Sequence, residues 1–446
     1  MGAKAQRSLS AASAAAVVLA SALVARAQEL TNLDEAVAAA RADHRLEGRV
    51  GPAVARAAQY ALRDAPEGLL GATFQVAQVG GVAPIEVGKV VADRFTDDES
   101  PVALSLLAGL DPEVVTAVAK ARPQLRATIE GQIRGEPSAP AQAAVRVFVW
   151  TTSTVALLDA LRSWDTPATV ATALAALCHH EPRAATAFRP VLHGSVAPGV
   201  EVAFQAGLRL IATRHPALMA GVISSLEGEH FPELDRARLI VCARGAEEAD
   251  RPRVQAIVRR VVLRERGGAA VVAAVGSLWE LGVTDPDVAK RLTVLVSLGE
   301  SDVQQAALGE VVRHVPRGGD PLLRRDAALA VETALERVED PDVLAAAIHC
   351  GRRLELASLR ESLWGFTDST EAAVRDAAYL AVPVFFPADR ATIDRLLAAL
   401  ANPAAAEPAW QALTRLTGVK IARERRDLWA RWRRLHTFEE PGPERP

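Results

Sequence analysis

The stretch EDPDVLAAAIHC, residues 339–350, contains Asp340-Pro341-Asp342-Val343, and nearly the same four letters return at Asp285-Pro286-Asp287-Val288 and Asp111-Pro112-Glu113-Val114. Each reads as the start of a helix. The Asp carboxylate can accept from free N–H groups of the first turn, and Pro fits the first helical position because its missing N–H would be unpaired anyway. The second acid then sits at the positive end of the helix dipole. The Val that follows is the first residue to face a core. Helical spacing from it gives Val343, Ala346, Ala347 and Cys350, and the same spacing occurs without the Asp-Pro opening at Val374, Ala377, Ala378 and Ala381.

With that Val or Leu as an anchor, eight candidates line up: Val114, Val170, Val202, Leu234, Val271, Val303, Val343 and Val374. The residue three further on is Ala in seven of them, the exception being Gln205. The intervals are 56, 32, 32, 37, 32, 40 and 31, and a period of that length signals repeats of two helices each. Val288 and Leu359 fall near the midpoints, as residues of the other helix of a pair would. A small residue beside the anchor lets backbones approach closely while remaining the best helix former. The expected fold is therefore all-α, an α-solenoid of antiparallel helix pairs.

In these residues the chain resembles the HEAT-like repeat family, including the short repeats of the bilin-lyase type, whose second helix typically begins D-x-x-V-R-x-A-A. Asp368 to Ala378 keeps the Val374-Arg375-x-Ala377-Ala378 half, and Ser301 to Ala307 keeps it with Gln304 in place of Arg. The resemblance covers about residues 160–418 and implies an armadillo-like superhelix. Tetratricopeptide repeats have a similar period, but 2 Tyr in the whole chain and no recurring Trp/Gly/Tyr positions make them the poorer match.

Composition agrees with a large helical core. The 446 residues are 50% hydrophobic and 24% charged, too apolar for a disordered chain, and only 4% are aromatic. Lys4 and Arg7 precede a small apolar run from Leu9 to Val24, followed by Ala25-Arg26-Ala27. That is the pattern of a secretory signal peptide cleaved after Ala27, so the mature chain is expected in the periplasm or secreted, with no membrane span. Removing residues 1–27 takes three basic residues and no acid, moving the net charge from −3 to −6, which argues against a nucleic-acid coat. Cys178, Cys242 and Cys350 are widely separated and odd in number, so they are expected as buried thiols and not as a disulfide scaffold.

Residues 28–135 read as an N-terminal helical region with room for degenerate repeats, clearest at Asp34–Ala42 and Pro112–Ala121, while residues 71–89 are ambiguous between helix and strand. GEPSAP, residues 135–140, marks a loop before the solenoid proper, residues 136–418. Residues 419–446 read as a capping helix and tail. Gly418 ends a helix bearing Trp410, and Trp429 and Trp432 share one face of the last helix, where they are expected to cap the final repeat.

A search for chemistry leaves little. Cys178-His179-His180-Glu181 is dense in metal-ligand types, but neighbours on a helix point apart, so a helix-end loop is the better reading. HEAT-repeat hydroxylases bind iron through several His-Glu pairs, and His180-Glu181 is the sole pair here. The other histidines share no spacing with a nucleophile, and Gly80-Gly81 and Gly267-Gly268 lack a phosphate-loop pattern. Neither a catalytic residue, a metal nor a cofactor is assigned. Arginine supplies nearly all the positive charge, and Arg253, Arg260 and Arg264 lie along one helical face. They are candidate contacts for an anionic partner, against a solvated face as the alternative. The expected function is non-catalytic protein binding or scaffolding outside the cytoplasm. The alternatives are a cofactor-handling enzyme related to bilin lyases, or a polyanion or nucleic-acid binder using the Arg-rich helices.

Overall fold

The computed structural model describes residues 30, 32–42, 45–133, 138–228, 231–315 and 320–436. The signal-peptide segment, the GEP of GEPSAP with the division expected at residue 135, His44, His230 and the terminal PGPERP lie outside them. All regular structure among the described residues is helical, apart from one isolated parallel bridge between Leu30 and Val50. No helix among them is long and apolar enough to cross a membrane.

Contacts divide the chain into two compact units, one ending at His215 and the other beginning at Pro216. The first contains α1 (Leu33–Arg41), α2 (Pro52–Ala61), α3 (Glu67–Val79), α4 (Pro84–Asp98), α5 (Pro101–Ala108), α6 (Pro112–Ala121), α7 (Gln124–Ile133), α8 (Ala139–Thr151), α9 (Thr154–Ser163), α10 (Pro167–Cys178), α11 (Glu181–Leu192) and α12 (Glu201–Arg214). Here α1 packs on α3, α3 on α5, α5 on α8, α8 on α10 and α10 on α12, while α2 packs on α4 and α9 on α11. The ambiguous residues 71–89 resolve as the end of α3, a turn and the start of α4. Val76 and Ala77, adjacent in sequence, are both buried, as helix neighbours can be and alternating strand residues on a one-sided sheet are not.

The second unit contains α13 (Pro216–Gly228), α14 (Glu233–Ala243), α15 (Arg251–Arg264), α16 (Ala269–Val275), α17 (Leu278–Leu281), α18 (Pro286–Leu298), α19 (Ser301–His314), α20 (Pro321–Arg337), α21 (Pro341–Leu354), α22 (Ala357–Thr367), α23 (Ala372–Phe385), α24 (Arg390–Ala399), α25 (Ala406–Thr417) and α26 (Arg426–Leu435). Two rows of contacts run through it. One joins α14, α16, α19, α21, α23 and α25 in turn; the other joins α13, α15, α18, α20 and α22. The rows are tied by chain neighbours such as α18 with α19, α20 with α21 and α22 with α23. The principal contacts within each unit join helices no more than three apart along the chain.

The Asp-Pro openings behave as their chemistry requires. Asp111 Oδ1 accepts from Glu113 N at 2.8 Å, Asp285 Oδ1 from Asp287 N at 2.8 Å, and Asp340 Oδ1 from Asp342 N at 3.0 Å. Asp320-Pro321 is a fourth case, with Leu322 N donating at 2.9 Å. Five anchors, Val170, Val271, Val303, Val343 and Val374, are buried, and Val288 and Leu359 are buried on the partner helices α18 and α22. Val114 is only half-buried, Val115 and Val118 taking the core positions of α6.

Two anchors are misplaced. Val202 is 82% exposed and Leu234 is 41% exposed. In α12 the core position belongs to Phe204, fully buried, and the small residue three further on is Gly207. The cause is the 3-10 turn Pro198–Val200, which leads into α12 and resets its phase by two residues, about 200° around the axis.

Candidate functional site: an arginine-lined cleft

Several arginines that the sequence leaves unassigned serve the packing. Arg291 donates to Val262 O at 3.2 Å and Glu265 O at 2.8 Å, Arg352 to Leu380 O at 3.2 Å, and Arg375 to Ala404 O at 3.1 Å. Arg244 reaches Ser277 Oγ and Ala273 O, Arg122 pairs with Asp93, and Arg259 pairs with Asp285 and Asp287. In each case the partner lies 26 to 33 residues away, so these contacts join helices that are near neighbours in chain order. The forked guanidinium can hold two acceptors at once, which suits it to this stitching better than lysine.

Arg253 belongs to this set. Its guanidinium makes two parallel hydrogen bonds to Glu227, at 3.0 and 2.7 Å, and a third to Asp250 at 3.0 Å. Hydrogen bonding to Glu227 first, and to Asp250 second, raises its pKa, and the same contact holds the Glu227 carboxyl below its usual range. Arg253 is thus committed to internal acids. Arg260 and Arg264 lie one turn apart on α15 and are exposed. Neither makes an ion pair with another described residue, although Arg260 adds to the field that keeps Glu227 ionised.

These two line a cleft of about 580 Å³ with Leu226, Glu227, Phe231, Arg236 and Glu265. It lies where the ends of α13 and α15 meet the start of α14. Arg236 on α14 is closed into an ion pair with Glu265 at 2.5 Å. Both carboxylates therefore have arginine partners of their own, Arg253 and Arg236, which leaves Arg260 and Arg264 without an ion-pair partner among the described residues. The sequence pointed to these two. It could not point to Arg236, Glu227 or Phe231, which come from separate helices and turns and share no spacing with α15.

A second cavity, of about 600 Å³, lies in the first unit between α7, α8 and α9, walled by Phe148 and Trp164 with Glu130, Asp159 and Asp165 at its rim. Trp164 stands edge-on to Phe148 with ring centroids 6.0 Å apart, and Glu130 is paired with Arg126 at 2.9 Å.

The cysteine-histidine run falls at the junction of α10 and α11, with His179 ending one helix and His180 preceding the next. Cys178 Sγ points to Leu210 O at 3.8 Å, and its backbone carbonyl meets His215 Nε2 at 2.9 Å. No group of three potential metal ligands occurs among the described residues. All three cysteines are free and buried.

At the other end, Trp429 is fully buried, Trp432 meets it edge-on at 5.8 Å, and His436 stacks on Trp432 at 4.8 Å. Trp410 Nε1 donates to Ile421 O at 2.7 Å, and Arg433 forms a two-pronged ion pair with Asp394. The tryptophans thus lie within the contacts that hold α26 to α24 and the segment after Gly418 to α25. No family model and no curated protein matches this chain.

Proposed function

We propose that the chain is a HEAT-like α-solenoid that binds a protein partner outside the cytoplasm and carries no chemistry of its own. One observation carries the reading: in the second unit a row of helices packed one on the next buries apolar positions and turns polar ones to solvent. Gln305 and Arg313 on α19, His349 and Arg353 on α21, Asp376 on α23, and Glu407 and Arg415 on α25 are all exposed. The limited reach of the helix contacts supports a stacked array, in which such a row makes one extended surface. Export is supported by Lys4, Arg7, the apolar run after them and the Ala25-Arg26-Ala27 site.

Site-specific photo-crosslinking tests the proposal. A photoreactive residue placed in turn at Gln305, His349, Asp376 and Glu407 should capture one and the same protein from an envelope extract. Arg325 on α20 and Arg360 on α22, exposed on the other row, should not. Equal capture from both rows, or different proteins at each position of the first row, would refute it.

A further inference from the structure

The α13–α15 cleft lies apart from that row of exposed positions, and its chemistry points to a different ligand. We infer that it binds a small organic anion: Arg260 and Arg264 take a dianionic oxyanion head, and Leu226 and Phe231 take its apolar body.

Three features of the cleft lead there. The first is charge. Glu227 is neutralised by Arg253 and Glu265 by Arg236, so an incoming anion meets no unpaired carboxylate among the described lining residues. It meets instead two guanidinium groups with no ion-pair partner among the described residues. The second is spacing. Residues four apart on a helix have Cβ atoms roughly 6 Å apart, so two long side chains can converge on one tetrahedral or two adjacent trigonal oxyanion groups. The third is size. A volume of about 580 Å³ is many times the roughly 30 Å³ share of one water, and lies in the range of pockets that enclose organic ligands rather than bare ions. Phe231, half-buried just before α14, lines the cleft and gives such a body an aromatic neighbour. The ion pairs on either side hold the wall in place: Arg253 fastens the end of α13 to α15, and Arg236 fastens α14 to the end of α15. An oxyanion displacing either would have to break an existing charged hydrogen bond, whereas Arg260 and Arg264 bind at no such cost.

Phosphate monoesters and dicarboxylates share this chemistry, and calorimetry with the full chain separates them. Phenyl phosphate and phenylsuccinate are the two probes, with inorganic phosphate and benzylamine beside them. One of the two organic anions should bind to the wild type with an affinity that falls steeply as salt is raised. Benzylamine should not bind, and inorganic phosphate should bind at least ten-fold more weakly than the preferred probe. Arg260→Gln and Arg264→Gln should each weaken that probe ten-fold or more, while Arg337→Gln on α20 leaves it unchanged. Phe231→Ala should weaken the organic anion and spare inorganic phosphate. Circular dichroism and melting curves of the exposed-arginine variants should match the wild type, which keeps loss of binding separate from loss of fold. Absence of binding by both organic anions at millimolar concentration would overturn the inference, as would equal affinity in the Arg260→Gln, Arg264→Gln double variant. Inorganic phosphate binding as tightly as phenyl phosphate would remove the organic body from it.

Discussion

Gly207 on α12 lies tight against Leu174 on α10. A Cβ there would stand 2.4 Å from Leu174 Cδ1 and 2.6 Å from Leu174 Cβ, and Leu174 is itself buried. Gly207→Ala should therefore destabilise by about 1–3 kcal/mol through overpacking, read as a lower urea midpoint at unchanged slope. Ala377→Leu, at another buried small residue, should fall in the same range. Burial also governs the titrating side chains. It pushes the Cys350 thiol up to about 12 and raises Cys178, so both stay protonated at neutral pH. Iodoacetamide should leave native Cys350 unlabelled and label it readily in urea; fast labelling of the native protein would show that α21 opens. His349 is displaced the other way, by desolvation first and then by Arg352 and Arg353, which lower its pKa from 6.5. Between the two pKa values the unfolded chain holds a proton that the native chain rejects. The stability linked to His349 is thus complete above about pH 6.5 and declines as pH falls below it, and His349→Gln should flatten that part of the stability profile.

The elements show which parts of the fold were legible in the sequence. Helix starts were, because a cap is local chemistry: Asp, Pro and a second acid specify the first turn wherever they stand. Asp111→Ala should cost about 1 kcal/mol, measurable as a shift in the midpoint for the first unit, since Glu113 N loses its acceptor. Core-facing stripes were legible too: five of the eight anchors are buried, because valine followed by alanine at helical spacing marks the face that packs. Register failed where something outside the stripe set the phase. The 3-10 turn before α12 moved the core position to Phe204, and in α14 nearly every residue after Leu234 is buried, Asp235 and Arg238 among them, so no one-sided stripe exists to be read. The arginines were legible as a surplus but not as stitches, because a hydrogen bond from Arg291 to a carbonyl 26 residues away leaves no mark on either segment. Arg291→Met should cost about 1–3 kcal/mol for the lost charged hydrogen bonds, whereas a solvated surface arginine would cost nothing measurable. The candidate cleft was half legible: α15 showed Arg260 and Arg264, and only the packing showed that Arg253 is already occupied.

At the scale of the molecule the question is how far a local change travels. In the second unit the principal contacts link each helix to those one, two or three away, so a stacked array should behave as a chain of coupled neighbours. The end of that unit gives a clean test. Ending the chain after Gly418 removes the Ile421 carbonyl that accepts from Trp410, the buried Trp429, and the Arg433 side chain that pairs with Asp394. Helices α24 and α25 then lose their outer cover and the charged tie together. If α26 and its tryptophans cap a solenoid, amide exchange should accelerate strongly in α24 and α25, less in α23, and not at all in α14, because each interface dilutes the loss before passing it on. A closed globule sharing one core would respond differently, with every helix of the unit losing protection by the same free energy. Unchanged exchange in α24 and α25 would instead make α26 an appendage, and the burial of Trp429 would then contribute nothing to the helices beneath it.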